Sequence, residues 1–190
     1  SLYLKSEYNR RHIMVGPDVW MDTDSNPDFI EDLSLYRSWK EQAAAEGLRV
    51  RIGRWNVPGK PTAILVDFKQ FLTRQDEILS EFWKRFRVDS LTGNWDYRES
   101  ALFGYAAGRV IESFYNFNLD SSHKVVAQFH EWMTGTGLLY LKSVEVPVAT
   151  VFTTHATVIG RCIAGNNLPL YDGLLNYNSD EKARQFNVVA

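Results

Sequence analysis

Apolar residues recur along this chain in two alternating rhythms, one of period two and one of helical period. Arg11-His12-Ile13-Met14-Val15-Gly16 is a short apolar run closed by Gly16-Pro17, the ending expected of a buried strand. From Leu33 to Glu46 the composition becomes helix-forming, and Gly47 stands where a left-handed cap would end that helix. Arg49 to Trp55 alternates polar and apolar side chains, as a half-exposed strand does. A turn at Pro58-Gly59-Lys60-Pro61 then leads into a more buried strand, Thr62 to Phe68. Gln75 to Phe86 is amphipathic, with Ile78, Leu79 and Phe82 on one face. Thr92-Gly93-Asn94 breaks the pattern before Tyr97 to Phe117, the longest predicted helix, where Leu102, Ala106, Val110 and Phe114 recur at steps of four. A strand at Val125 to Phe129, a short helix at Trp132 to Lys142 and a strand at Val148 to Thr154 follow.

Strands separated by helices predict an α/β fold with a doubly wound, mostly parallel sheet. With 190 residues, 45% of them hydrophobic and 14% aromatic, the chain can bury one good core, so residues 1–190 are expected to form a single domain. The formal charge is -2 and the basic residues are scattered, which argues against a polyanion such as nucleic acid as partner. Cys162 is the only cysteine; that excludes an intramolecular disulfide and fits a reducing compartment. No apolar run approaches ~18 residues, and Ser1 to Arg11 lacks the pattern of a secretory signal, so a soluble, cytoplasmic protein without membrane contact is expected. Both ends are abrupt. Residues 1–8 read as the end of a helix already under way and Asn187 to Ala190 carry no stop signal, so truncation at both ends is expected.

Candidate chemistry gathers where two strands end. In Val148 to Arg161, V-A-T-V-F-T-T-H-A-T-V-I-G-R, a buried strand hands His155 to the mouth of a turn, and the next helix would carry Arg161 back toward that mouth. Ligands of open α/β sheets sit beyond the carboxyl ends of strands, so an imidazole and a guanidinium there suit an anionic, sugar-bearing ligand. His130 and Glu131 leave the preceding strand in the same way and are expected on the same crevice edge as His155, while Trp132 reads as core or helix packing. The His-Glu pair is not a metalloprotease motif, because position 134 is Thr rather than the second histidine. Gly135-Thr136-Gly137 fails as a dinucleotide fingerprint: the third glycine position is Tyr140, and glycines inside a helix point to close helix packing. Pro58-Gly59-Lys60-Pro61-Thr62 lacks the spacing of a phosphate-binding Walker loop, and no Gly-x-Ser-x-Gly elbow occurs.

Taken together, Thr153-Thr154-His155-Ala156-Thr157 with Gly160-Arg161, Phe129-His130-Glu131-Trp132, Val15-Gly16-Pro17-Asp18, Gly53-Arg54-Trp55, Leu102-Phe103-Gly104 and Leu170 to Asn178 carry a resemblance. The chain resembles the amino-terminal half of the animal and fungal type of glycogen synthase, family 3 of the glycosyltransferases. The resemblance implies a GT-B architecture of two facing Rossmann-like domains. It further implies retaining transfer of glucose from UDP-glucose to the non-reducing end of an α-1,4-glucan such as glycogen, with no metal and no other cofactor. It places His155 and Arg161 on the UDP-glucose contacts, gives His130 a supporting role in shaping the pocket, and puts Glu99 where related synthases carry an acidic residue. For Glu99 a first-turn carboxylate favoured by the helix dipole is an equal alternative, and Asn166 and Asn167 read as turn residues.

The chain also departs from the family pattern. The family's Lys-x-Gly-Gly donor loop lies upstream of Ser1, and its diphosphate-binding Arg, Lys and Glu lie in the carboxy-terminal domain. The family's His-x-His-Glu-Trp begins here with Gln128. The 190-residue chain by itself is therefore expected to be inactive. Two alternatives stay open: a non-catalytic glucan-binding or scaffold domain, and a GT-B enzyme using another nucleotide sugar. The resemblance also leaves room for a homo-oligomer of the full-length protein.

Overall fold

A computed structural model describes residues 12–19 and 28–188. The helix end read into residues 1–8, Arg11, and the terminal Val189 and Ala190 lie outside the described residues. The chain divides into two compact units, one ending at Phe152 and one beginning at Thr153.

The first unit holds a four-stranded sheet in the order β1-β4-β3-β2, formed by Ile13–Pro17 (β1), Phe29–Glu31 (β2), Arg49–Trp55 (β3) and Thr62–Asp67 (β4). β1 and β4 run parallel, as expected of an α/β fold, and helices lie between most strands. The β3–β4 and β2–β3 pairings are antiparallel, which departs from a mostly parallel sheet. The reason is local. Between Trp55 and Thr62 there is only the Pro58–Lys60 turn, far too short for the crossover that parallel neighbours require. The short β2 has no periodic signal of its own and is held as an edge by β3.

β4 is buried on both faces. Its alternating side chains send Ile64 and Val66 into the main core and Ala63 and Leu65 into a smaller cluster with Phe29. The main core is completed by Trp39 of α1 (Arg37–Ala45), by Ile78, Leu79 and Phe82 of α2 (Gln75–Phe86), and by Leu102, Ala106 and Val110 of α3 (Trp95–Asn118). Gly47 follows α1 at φ +76°, the left-handed conformation that ends the helix. The Trp39 indole donates to the buried Ser113 hydroxyl at 3.1 Å, tying α1 to α3.

β5 (Val126–His130) and β6 (Ala149–Thr153) pair in a separate two-stranded sheet. Between them run a 3-10 turn, Trp132–Thr134, and α4 (Gly135–Val144). The small side chains of α4 let it lie directly on α3. A methyl added at Gly137 would strike the Gly104 carbonyl oxygen, one at Gly108 the Gly137 carbonyl oxygen and one at Gly104 the Thr136 hydroxyl, and the Thr136 hydroxyl donates to the Ala101 carbonyl at 2.6 Å. This bears out the close-packing reading for Thr136 and Gly137; a methyl at Gly135, the first residue of α4, would meet only the Phe152 ring at an ordinary 3.8 Å. On the same interface Tyr140 donates to Glu112 at 2.6 Å; burial, then the adjacent carboxylate, pushes its phenol above the usual range.

The second unit contains α5 (Val158–Gly165), α6 (Leu170–Gly173), a 3-10 turn at Leu174–Asn176, and α7 (Ser179–Gln185). Ile163 of α5 is its one buried large hydrophobic residue among those described. Asn166 and Asn167 are turn residues, as expected: the Asn166 amide donates to the Cys162 carbonyl at 2.8 Å and Asn167 adopts φ 56°. Among the described residues no helix is long and apolar enough to cross a membrane.

Candidate functional site

His130 is the last residue of β5, whose inward side chains, Ala127 and Phe129, are buried while Val126, Gln128 and His130 are exposed. The strand's alternation therefore puts the imidazole on the open face. Directly after it the chain reverses. Glu131 stands at φ 63° and ψ 167°, and the Trp132–Thr134 turn follows. Thr134 closes this reversal, with its hydroxyl donating to the His130 carbonyl at 2.9 Å and its N–H donating to the Glu131 carbonyl at 3.1 Å. Trp132 is not a core residue. It is 52% exposed, and its ring lies parallel to that of Tyr97 of α3, with centroids 6.0 Å apart. The Tyr97 hydroxyl is paired in turn with buried Ser90 at 2.7 Å, so the turn after His130 rests on a fixed aromatic support.

Glu99 is exposed on α3. The first-turn alternative for it is corrected by the helix start. Asn94 caps α3 by accepting from the Tyr97 N–H at 3.0 Å, two residues earlier than the sequence pattern suggests, so the first-turn carboxylate is Asp96. Glu99 lies one turn before Phe103, whose ring meets Phe68 just beyond the end of β4. It also stands about 200° around the helix from Tyr97, away from the face that supports His130.

His155 and Arg161 belong to the second unit and flank a well-formed helix start. Thr157 caps α5, its hydroxyl accepting from the Gly160 N–H at 3.0 Å, and the Arg161 N–H donates to the Thr157 carbonyl at 3.0 Å. His155 thus lies two residues before the cap and Arg161 one turn after it; both are exposed. Positive charge at the amino end of α5 comes from Arg161 and from the helix dipole together, a combination that favours an anionic ligand. Among the described residues no three His, Cys, Asp or Glu side chains gather into a metal-binding group. A pocket of about 220 Å³ lined by Glu46, Arg109, Glu112, Ser113 and Asn116 contains none of the candidate residues.

Two features of the His130 turn have no sequence signature. A glutamate in a glycine-type conformation looks like any other glutamate, and Thr134 enters the sequence reading only as the residue that breaks the metalloprotease spacing.

Comparison with known proteins gives one consistent family. The sequence model of the glycogen synthase family matches residues 4–189. Liver glycogen [starch] synthase of Rattus norvegicus is 28% identical over 179 residues, covering 94% of this chain and 25% of the relative. Glycogen [starch] synthase of Dictyostelium discoideum is 31% identical over 93% of this chain and 20% of its own length. That of Neurospora crassa is 27% identical over 94% and 25%. The chain thus spans about a quarter of the length of the curated relatives it matches.

Proposed function

Because the chain belongs to the glycogen synthase family, we propose that it is the amino-terminal, acceptor- and sugar-side part of a retaining glucosyltransferase that elongates an α-1,4-glucan such as glycogen from UDP-glucose. The fold is then one Rossmann-like half of a GT-B enzyme. The observation that carries the reading is the family match over residues 4–189, inside which His130 ends β5 and His155 and Arg161 flank the cap of α5.

The chemistry assigns each residue a part. The His155 imidazole hydrogen-bonds the donor sugar or its neighbouring oxygens. Arg161, with the amino end of α5 behind it, supplies fixed positive charge to the donor as its bond to the diphosphate breaks. Such preorganised charge is usually the largest contribution to catalysis. His130 shapes the pocket, and Glu99 is a candidate acidic group. The protein is expected in the cytoplasm, with a glucan as its macromolecular partner.

The test is steady-state transfer from radiolabelled UDP-glucose to glycogen by the full-length protein. His155→Ala and Arg161→Ala should each lower the rate by tens to hundreds of fold, about 2–4 kcal/mol of barrier, with melting temperatures close to wild type because both residues are exposed. Arg161→Lys should rescue only in part, since lysine keeps the charge and loses the planar fork. Full activity in both alanine variants, or melts that collapse in step with activity, would reject the site. Turnover with another nucleotide sugar alone would move the assignment to a different GT-B enzyme, and glucan binding without any turnover would make the chain a scaffold.

A further inference from the structure

The backbone of Glu131 lies in a region, φ 63° and ψ 167°, that is essentially reserved for glycine. With a Cβ present, such torsions persist only where the surroundings over-determine them. Here the restraint is visible. The Thr134 hydroxyl donates to the His130 carbonyl at 2.9 Å and leans on the Glu131 carbonyl at 3.2 Å, while the Thr134 N–H donates to the Glu131 carbonyl at 3.1 Å. These carbonyls lie on either side of the Glu131 Cα. Rotation about φ would pull the first away from Thr134 and rotation about ψ the second, so one residue holds both torsions.

Thr134 is itself anchored. The next residue opens α4, which is fixed to α3 by the buried Thr136–Ala101 hydrogen bond and by the Gly104–Gly137 contact. Trp132, inside the turn, is stacked on Tyr97 of the same helix. The strained peptide is therefore held by packing between two helices, and relaxing it would turn the end of β5.

We propose that the Glu131–Thr134 turn is a strained clamp that sets the direction of the β5 tip, and that Thr134 is a positioning residue for glucosyl transfer, acting through His130. What the tip does rests on the function proposed above; the clamp rests on the backbone geometry. A group that must meet a sugar within a fraction of an ångström gains from such a device, because a misplacement of about 1 Å costs on the order of 100-fold in rate.

Melting and kinetics of the full-length protein test the two parts separately. Glu131→Ala and Glu131→Gly both remove the carboxylate, and only the second relieves the torsion. At an ordinary extended position alanine is the more stable of the two; at a strained one the order inverts, so Glu131→Gly should melt above Glu131→Ala. The opposite order overturns the clamp. Thr134→Val keeps the shape and loses the hydroxyl, and should lower kcat by about 10- to 100-fold with KM for glycogen within about twofold. Thr134→Ser, which restores the donor, should return kcat to within about threefold of wild type. A Thr134→Val protein with wild-type kcat, or one whose activity falls only with its folded fraction, overturns the positioning role. Absence of glucose transfer by the wild-type protein would refute the function itself, and with it the role of Thr134 in transfer, leaving the clamp to be decided by the order of the melts.

Discussion

Replacing Gly137 with alanine should unfasten α4 from α3, and the cost can be worked from the contact. A Cβ at Gly137 would lie 2.5 Å from the Gly104 carbonyl oxygen and 2.7 Å from Cε1 of Phe129. Carbon and carbonyl oxygen ordinarily approach to about 3.3 Å, so about 0.8 Å is missing. The Phe129 ring can shift; the carbonyl, locked in the middle of α3, cannot, so the helices must separate. Overpacking of this kind costs about 1–3 kcal/mol. The same separation stretches the buried 2.6 Å bond from Thr136 to Ala101, worth about 1 kcal/mol more. Against this stands about 1 kcal/mol gained from alanine's better helix propensity. The net loss is about 1–3 kcal/mol, a fall in melting temperature of about 2–12 °C at this chain size. Gly135→Ala is the control, because the nearest atom to its added methyl, in the Phe152 ring, is at an ordinary 3.8 Å. Thermal melts followed by circular dichroism decide the matter. A Gly137→Ala protein melting at or above wild type, or a Gly135→Ala protein falling as far, would refute the reasoning. Phe129 immediately precedes His130, so the same substitution should also lower glucosyl transfer.

Three further outcomes are expected. The 190-residue chain alone should show no transfer from radiolabelled UDP-glucose to glycogen, because the family resemblance leads us to expect the diphosphate-binding groups outside residues 1–190; turnover above background would contradict that division of labour. Arg51→Ala should lower stability by about 2–4 kcal/mol in urea unfolding, since Arg51 bonds Asp18, only 4% exposed, at 3.4 Å and Glu31 at 3.0 Å. Adding Asp18→Asn should recover part of the loss, and an unchanged midpoint in the single variant would show that the pair is merely a surface contact. The Ser122 hydroxyl, then His123, lowers the Asp120 carboxyl to about 2. Because the folded value lies below the ordinary one, the stabilisation is present above pH of about 4 and is lost as pH falls toward 2. The melting gap between wild type and Asp120→Ala should therefore close over that window, and a gap unchanged at pH 2 would show that the carboxylate is not its source.

Periodicity along the chain identified the elements whose side chains repeat with one partner layer. Arg49–Trp55 and Gln75–Phe86 have the bounds their patterns predict, and the long helix differs by two residues at its start and one at its end. Its start moved because Asn94 caps through the Tyr97 N–H, a hydrogen bond that hydrophobic spacing does not encode, and with it Glu99 left the first turn. His130 at a strand end, and His155 and Arg161 around a strand-to-helix turn, were equally legible, since a strand followed by a cap and a helix is a local pattern. The packing of Gly137 into α3 was readable for the same reason: two glycines inside a helix have few other uses.

Pairing direction was not legible in that way. β3 and β4 turned out antiparallel because the link between them is short, and β2 exists as a strand only because β3 offers it an edge. The sequence by itself determined the strands and helices with a periodic pattern, though not β2, α6 or α7, and which polar residues stand at their ends, because those depend on neighbours a few positions away. Only the tertiary structure decided how the strands pair, that Trp132 lies on Tyr97, and that Glu131 is held in a glycine's conformation by Thr134. The last two depend on the packing of α4 and the turn before it on α3, a contact between residues about 30 positions apart in the chain that no local period records.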